Sequence, residues 1–222
     1  SRWVRKSSVA ETRPMALLVQ KFGGTSVGSV ERIQAVAQRI ARCREEGHDV
    51  VVVVSAMGHT TDELTGLAAA INPDPPRREM DMLLSSGEQV SIALLAMALN
   101  ALGVSAVSMT GPQVGIVTES THSRARILEI RTDRVQGRLA EGAVVVVAGF
   151  QGTSSGSGGI AEITTLGRGG VFSSVCVFFA LSHLGHGFAS GTGSWPPGWK
   201  GWQRVIRRRA SQPPRAMPWR RR

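Results

Sequence analysis

Apolar residues along the first 150 positions fall into two patterns: short continuous runs, and longer stretches at helical spacing. Residues 16–22 (ALLVQKF) read as a buried strand, broken by Gly23-Gly24. Ser29 can cap a helix over 30–46 that sets Val30, Ile33, Ala37, Ile40 and Ala41 on one face, with Gly47 ending it. Residues 50–54 are five consecutive valines, a strand expected to be covered on both faces. A helix over 62–71 groups Leu64, Leu67, Ala68 and Ile71, and residues 72–78 (NPDPPRR) read as a loop. A longer helix is expected over 87–102, ending at Gly103. A short strand over 106–109, a helix over 132–141 and a buried strand over 143–148 (AVVVVA) follow. Residues 154–159 (SSGSGG) read as a flexible loop, and no internal repeat is evident.

Nearly all-apolar strands alternating with helices predict an α/β fold with a parallel sheet covered by helices. Ligands in such sheets bind beyond the carboxyl ends of the strands. The residues there have the character of a site: Gly23-Gly24-Thr25-Ser26, Ser55-Ala56-Met57-Gly58 and Gly149-Phe150-Gln151-Gly152.

Composition changes this picture mainly at the ends of the chain. The 222 residues are 42% hydrophobic, enough for a core, and carry a net charge of +10. A charge of that size usually points to an anionic partner. Yet residues 15–170 hold 13 Lys and Arg against 15 Asp and Glu, whereas residues 171–222 hold 9 basic residues and no acid. All five tryptophans also lie outside 15–170. The reading is therefore a basic extension (1–14), a mildly acidic folded body (15–170) and a basic Trp/Arg-rich tail (171–222) expected to be disordered. Met15 looks like a natural start. Cys43 and Cys176 form no CxxC or metal-type cluster, which favours a reducing compartment, and Cys43 reads as a small residue on the charged side of its helix. No continuous apolar run reaches the roughly 18 residues a membrane span needs, so no membrane partner is expected.

Four features carry candidate chemistry. Lys21 stands at the end of an apolar strand before a glycine turn, where it can reach an anion while the glycines admit close backbone N–H groups. The plain alternative is an edge lysine pointing to water. Ser55 through Gly58, followed by Thr60-Thr61-Asp62, offers hydroxyls and N–H groups at a helix start, which simple capping would also explain. Glu88, in Ser86-Gly87-Glu88, opens an otherwise apolar helix; it can match the helix dipole or bind a substrate ammonium. Arg168, in Gly167-Arg168-Gly169-Gly170, is a forked cation between glycines, suited to carboxylate or phosphate. Neither GxxxxGK[ST] nor GxGxxG occurs, and no Ser–His–Asp or Cys–His set stands in these regions. His183 and His186 (HLGH) are too isolated to define a metal site, and none is expected. Together the turns suggest a polyanion bound beside a small zwitterion.

The stretches KFGGTSVGSVERI (21–33), VVVVSAMGHTTDEL (51–64), LLSSGEQVSIALL (83–95), GFQG (149–152) and EITTLGRGG (162–170) resemble the aspartokinases of the amino-acid kinase family. The resemblance implies a three-layer αβα sandwich with a mainly parallel sheet. It implies transfer of the ATP γ-phosphoryl group to the side-chain carboxylate of L-aspartate, the step that opens lysine, threonine and methionine synthesis. ATP is then the co-substrate and Mg²⁺ the accompanying ion. By motif, Lys21 and Arg168 are catalytic. Lys21, Phe22, Gly23, Gly24 and Ser55 would bind ATP phosphates. Thr61, Glu88, Arg168, Gly169 and Gly170 would bind aspartate, with Glu88 at its ammonium and Arg168 on a carboxylate. Such chemistry is positioning and charge neutralisation, with no covalent nucleophile. The resemblance allows a homo-oligomer and implies a cytoplasmic or plastid setting.

The family continues GRGG with Ser-Asp, but Val171 and Phe172 stand here, and nothing later resembles its nucleotide-binding half or regulatory domains. The expectation is a fold truncated at that half by a frame change, an unspliced intron or a misassembled gene end. Two other readings stay open: a non-catalytic anion- or nucleic-acid-binding fragment using the tail, with nucleic acid the less favoured partner, and another kinase of the same fold. Purified chain is expected to form little or no aspartyl hydroxamate with ATP; robust turnover would refute the truncation reading.

Overall fold

The computed structural model describes residues 16–155 and 161–166. The basic extension with Met15, residues 156–160, residues 167–170 and the whole tail, with Cys176 and both HLGH histidines, lie outside the described residues.

The central sheet is built from β1 (Leu17–Phe22), β2 (Asp49–Val54), β3 (Ala106–Met109) and β6 (Val144–Ala148), in the order β1-β2-β6-β3. All its pairings are parallel, with Lys21 opposite Val53 and Val54 opposite Ala148. A parallel sheet needs cover on both faces, and the valine runs supply apolar side chains to each. Val50, Val52, Val54, Val144 and Val146 pack toward α1 (Val30–Glu45) and α3 (Arg77–Ala101) with Ile33, Ile40, Leu95 and Leu99. Val51, Val53, Val145 and Val147 pack on the opposite face. That face is covered by α4 (Gly111–Val114), α5 (Asp133–Ala140) and part of a second sheet, giving the third layer.

The second sheet consists of β4 (Ile116–Thr118), β5 (Ile127–Ile130), β7 (Gln151–Ser155) and β8 (Ala161–Thr165), in the order β5-β4-β7-β8. It is mixed: β4 and β7 run parallel and the other pairs antiparallel. None of its strands was expected. Three have only three or four residues or carry polar sequence such as QGTSS, so no apolar run announces them.

Helix α1 begins as expected, with Ser29 Oγ accepting from Arg32 N at 3.4 Å, and it ends at Gly47, whose φ of +87° suits glycine. Val30 is a correction: it is 60% exposed, and Val36 takes a place in the core instead. Cys43 is a second correction, since it lies partly buried against the core, where Gln20 Nε2 donates to its Sγ at 3.2 Å. Helix α2 (Thr60–Ile71) buries none of its residues; Leu67 and Ile71 remain exposed.

The largest departure is α3, which starts ten residues earlier than expected, at Arg77. Asn72–Arg78 is therefore not all loop, and Glu88 is not at a helix start but near its middle, which removes the first-turn dipole reading. Gly87 concealed the continuity. A Cβ on it would stand 3.1 Å from Ala56 Cβ, so the helix tolerates glycine there in exchange for close approach to the turn after β2. By length and composition α3 could cross a membrane. Its face carrying Asp81, Ser85, Glu88 and Ser91 is instead buried inside the domain.

Two glycines separate packing from propensity. A Cβ at Gly111 would fall 1.8 Å from Gln151 O, whereas one at Gly137, exposed in α5, would meet nothing within 4 Å. Gly111→Ala should cost about 3 kcal/mol of stability, and Gly137→Ala should add about 0.5–1 kcal/mol. Urea denaturation of the two variants checks both signs.

Candidate active site

The four parallel strands end on one rim, and their turns are stitched together. After β1, Ser26 N donates to Gly23 O at 2.9 Å, closing a 3-10 turn over Gly24–Val27. The turn after β2 is tied to it: Ser55 N donates to Phe22 O at 3.2 Å, and Gly58 N to Gly24 O at 3.0 Å. A Cβ on Gly24 would lie 2.6 Å from Ala56 O, so only glycine lets these two turns meet. On the other side of the rim, Thr110 and Gln113 form a capping box after β3, and Gly111 presses on Gln151 just beyond β6.

Helix α3 joins the two sides. Gly87 packs on Ala56 and Thr60, while Glu88 Oε2 accepts from Phe150 N at 3.0 Å. Glu88 is 2% exposed, and its other oxygen, Oε1, has no partner within the protein. Burial pushes the Glu88 carboxyl up to about 8, against the Phe150 N–H and the Gln151 amide, which favour the charged form. Gln151 is fully buried; its Nε2 donates to Ser85 O at 3.1 Å, and its Oε1 is also unpartnered. Two orphaned acceptors in one dry corner call for a donor.

The expected residues are distributed as follows. Gly23, Gly24 and Ser55 lie in the stitched turns, and Thr61 stands in the first turn of α2, whose Thr60 touches the Gly87 position. Lys21 is partly buried one residue before the end of β1, on the strand face it shares with Val19. Phe22 is buried toward the helices, with the Arg39 guanidinium 6.0 Å from its ring centroid. An open groove of about 420 Å³ runs beside it, lined by Thr25, Ser26, Arg32 and Arg39. Arg168, Gly169 and Gly170 are outside the described residues; Leu166, just before them, donates from its N to Phe150 O at 2.9 Å.

Residues 16–170 match the model of the amino acid kinase family. The chain belongs to the amino acid kinase family. Among relatives of this chain, the aspartokinase of Geobacillus stearothermophilus is 62% identical over 156 residues, covering 70% of this chain and 37% of that protein. The Thermus thermophilus aspartokinase is 57% identical over the same length, with 38% of it covered. The chain thus spans well under half the length of the curated relatives it matches. Among solved structures, the aspartate kinase of Synechocystis superposes with a TM-score of 0.63 at 57% identity, covering 78% of this chain and 28% of that one. The E. coli aspartokinase III complex with aspartate and ADP gives the same TM-score at 23% identity, a likeness of fold alone.

Gln151 carries a polar group into the same corner as Glu88; in sequence GFQG reads as a strand-end segment with the character of a site, but with no role of its own for Gln151. A lone glutamine three residues beyond a buried valine strand was the available signal. Asp81 was hidden differently: it stands seven residues before Glu88, two helical turns on one face, a relation visible only once α3 is known to begin at Arg77.

Glu88 also sets a pH dependence. Its folded-state value of about 8 lies above the ordinary 4.5, so its contribution is fully present below about pH 4.5 and is lost as pH rises through about 8. Unliganded chain should lose stability on the order of 4 kcal/mol across that window from this group. Glu88→Gln should flatten the slope, as read from urea midpoints at pH 5, 6.5 and 8.

Proposed function

We propose that this chain carries the acceptor-binding part of an aspartate kinase, in which a β-carboxylate oxygen of L-aspartate attacks the ATP γ-phosphorus and ADP leaves. The observation that carries the reading is Glu88: a buried carboxyl on the strand-end rim with one oxygen bonded and one unpartnered beside another orphaned oxygen, on Gln151. An ammonium group supplies several donors and one positive charge, which matches that corner.

In this reading Glu88 and Gln151 hold the aspartate ammonium, and Thr61 lies alongside. Arg168, flanked by Gly169 and Gly170, holds a substrate carboxylate. The stitched turns of Gly23, Gly24 and Ser55 offer N–H groups and a hydroxyl to ATP phosphates. Lys21 balances charge on the moving phosphoryl group, and Phe22 backs that turn. Arg32 and Arg39 add positive potential on the same side. The described residues contain no cluster of three or more His, Cys, Asp or Glu placed to hold a metal. Mg²⁺ therefore has no protein cage among them and is assigned no step in the transfer.

A raised Glu88 value makes binding release a proton. At pH 7 the empty corner is mostly protonated, and an incoming ammonium favours the carboxylate. Titration calorimetry of the chain with L-aspartate in buffers of different ionisation enthalpy should show close to one proton released at pH 7, falling toward zero above about pH 9. Glu88→Gln should abolish the release and weaken binding about 100-fold. Absence of aspartate binding by folded chain, or equal binding of succinate, which lacks the amine, would overturn the assignment.

A further inference from the structure

Asp81 is fully buried, lies two helical turns before Glu88 on the same face of α3, and takes no part in the site described above. Its Oδ1 accepts from Thr165 Oγ1 at 2.5 Å, and its Oδ2 bonds His122 Nδ1 at 2.8 Å. Ser123 N donates to both oxygens, at 3.1 and 3.0 Å, from a residue held at a φ of +67°. A carboxylate only accepts, so these contacts require the Thr165 hydroxyl and the His122 Nδ1 to donate. The outer side is closed by Glu162, whose oxygens lie 3.3 Å from His122 Nε2 and 3.4 Å from Arg78 Nε.

These bonds form a closed circuit with the candidate site. Thr165 is the last residue of β8, three before Arg168. Its Oγ1 is held by Asp81, and its carbonyl accepts from Ala125 N at 3.0 Å. The next residue, Leu166, donates from its N to Phe150 O at 2.9 Å, and Phe150 N donates to Glu88, which returns the path to α3. Two carboxylates on one helix face thus grip the two strand ends that flank the acceptor corner. We infer that Asp81 is a positioning residue: by holding Thr165 it fixes the end of β8 and the Leu166–Phe150 bond, and so sets where the Phe150 amide meets Glu88 in the corner that receives the ammonium of an α-amino acid.

The inference rests on the aspartate-binding reading, and the experiment separates the two. Asp81→Asn turns one acceptor into a donor facing N–H and O–H groups. Thr165→Val removes only the hydroxyl at nearly constant shape, and Thr165→Ser keeps it. Calorimetry of the chain with L-aspartate should show affinity falling about ten-fold or more in Asp81→Asn and Thr165→Val, with Thr165→Ser close to wild type. Amide exchange followed by NMR should show Leu166 and Phe150 exchanging about ten-fold faster in Asp81→Asn and Thr165→Val, while the β2 and β6 valines keep their protection. Wild-type affinity and wild-type Leu166 exchange in Thr165→Val would overturn the inference, even if Asp81→Asn fails to fold. If the wild-type chain does not bind aspartate, the assignment of the site falls. The Leu166 exchange comparison still decides: faster exchange in Thr165→Val supports the role of Asp81, and unchanged exchange overturns it.

Discussion

The rim depends on how closely α3 passes the carboxyl ends of β2 and β6. With no side chain at Gly87 and only a methyl at Ala56, the helix comes near enough for Glu88 to be sealed against the Phe150 amide. A larger residue at either position would hold the helix away and admit water. A wet Glu88 would be an ordinary surface acid, ionised at neutral pH and already solvated. The dry one is poised, because its charged form lacks the solvation that a second donor would restore.

The same helix shows what a satisfied carboxylate looks like. Asp81 and Glu88 are equally inaccessible and differ in how many donors reach them. Asp81 is surrounded by a backbone N–H, an imidazole and a hydroxyl, and neither of its oxygens is left over. Glu88 has one backbone donor, a nearby amide and an unpartnered oxygen. Removing a charge from water costs several kcal/mol unless it is paired and hydrogen-bonded. By that measure Asp81 is a finished structural joint, and Glu88 is a carboxyl still short of a donor.

How much of this was legible follows from where the signals lie. The valine runs of β2 and β6 specify a sheet buried on both faces, because no other structure hides five branched apolar residues in a row so readily. The glycines after the strands showed where the chain turns, and the rule for open α/β sheets located the rim. The second sheet was illegible because β4, β5, β7 and β8 are short or polar, and their pairing is decided by tertiary contact with the first sheet. The start of α3 was missed because Pro75, Pro76 and Gly87 all read as breaks. Pro76 is the residue before the first helical turn, where proline is tolerated, and Gly87 reflects packing. With the helix mis-started, the seven-residue spacing of Asp81 and Glu88 could not appear as one face.

Charge on the rim is divided along the same lines. The groove beside the turn after β1 is lined by the Arg32 and Arg39 side chains. The corner after β6 presents oxygens: Glu88 Oε1 and Gln151 Oε1. Adjacent parallel strands make this division natural, because each turn lies next to its neighbour and is lined by whichever helix crosses there. The proposed function places a molecule carrying several negative charges at one end of the rim and an ammonium at the other. On the proposed reading, an acceptor with an amine and a carboxylate a few bonds apart would span the two ends, its carboxylate turned toward the basic one. In that reading the shape of the corner is fixed by the fold, while the charge of Glu88, mostly protonated when the corner is empty at pH 7, develops only as the ammonium arrives, so that orientation at this end is coupled to proton release.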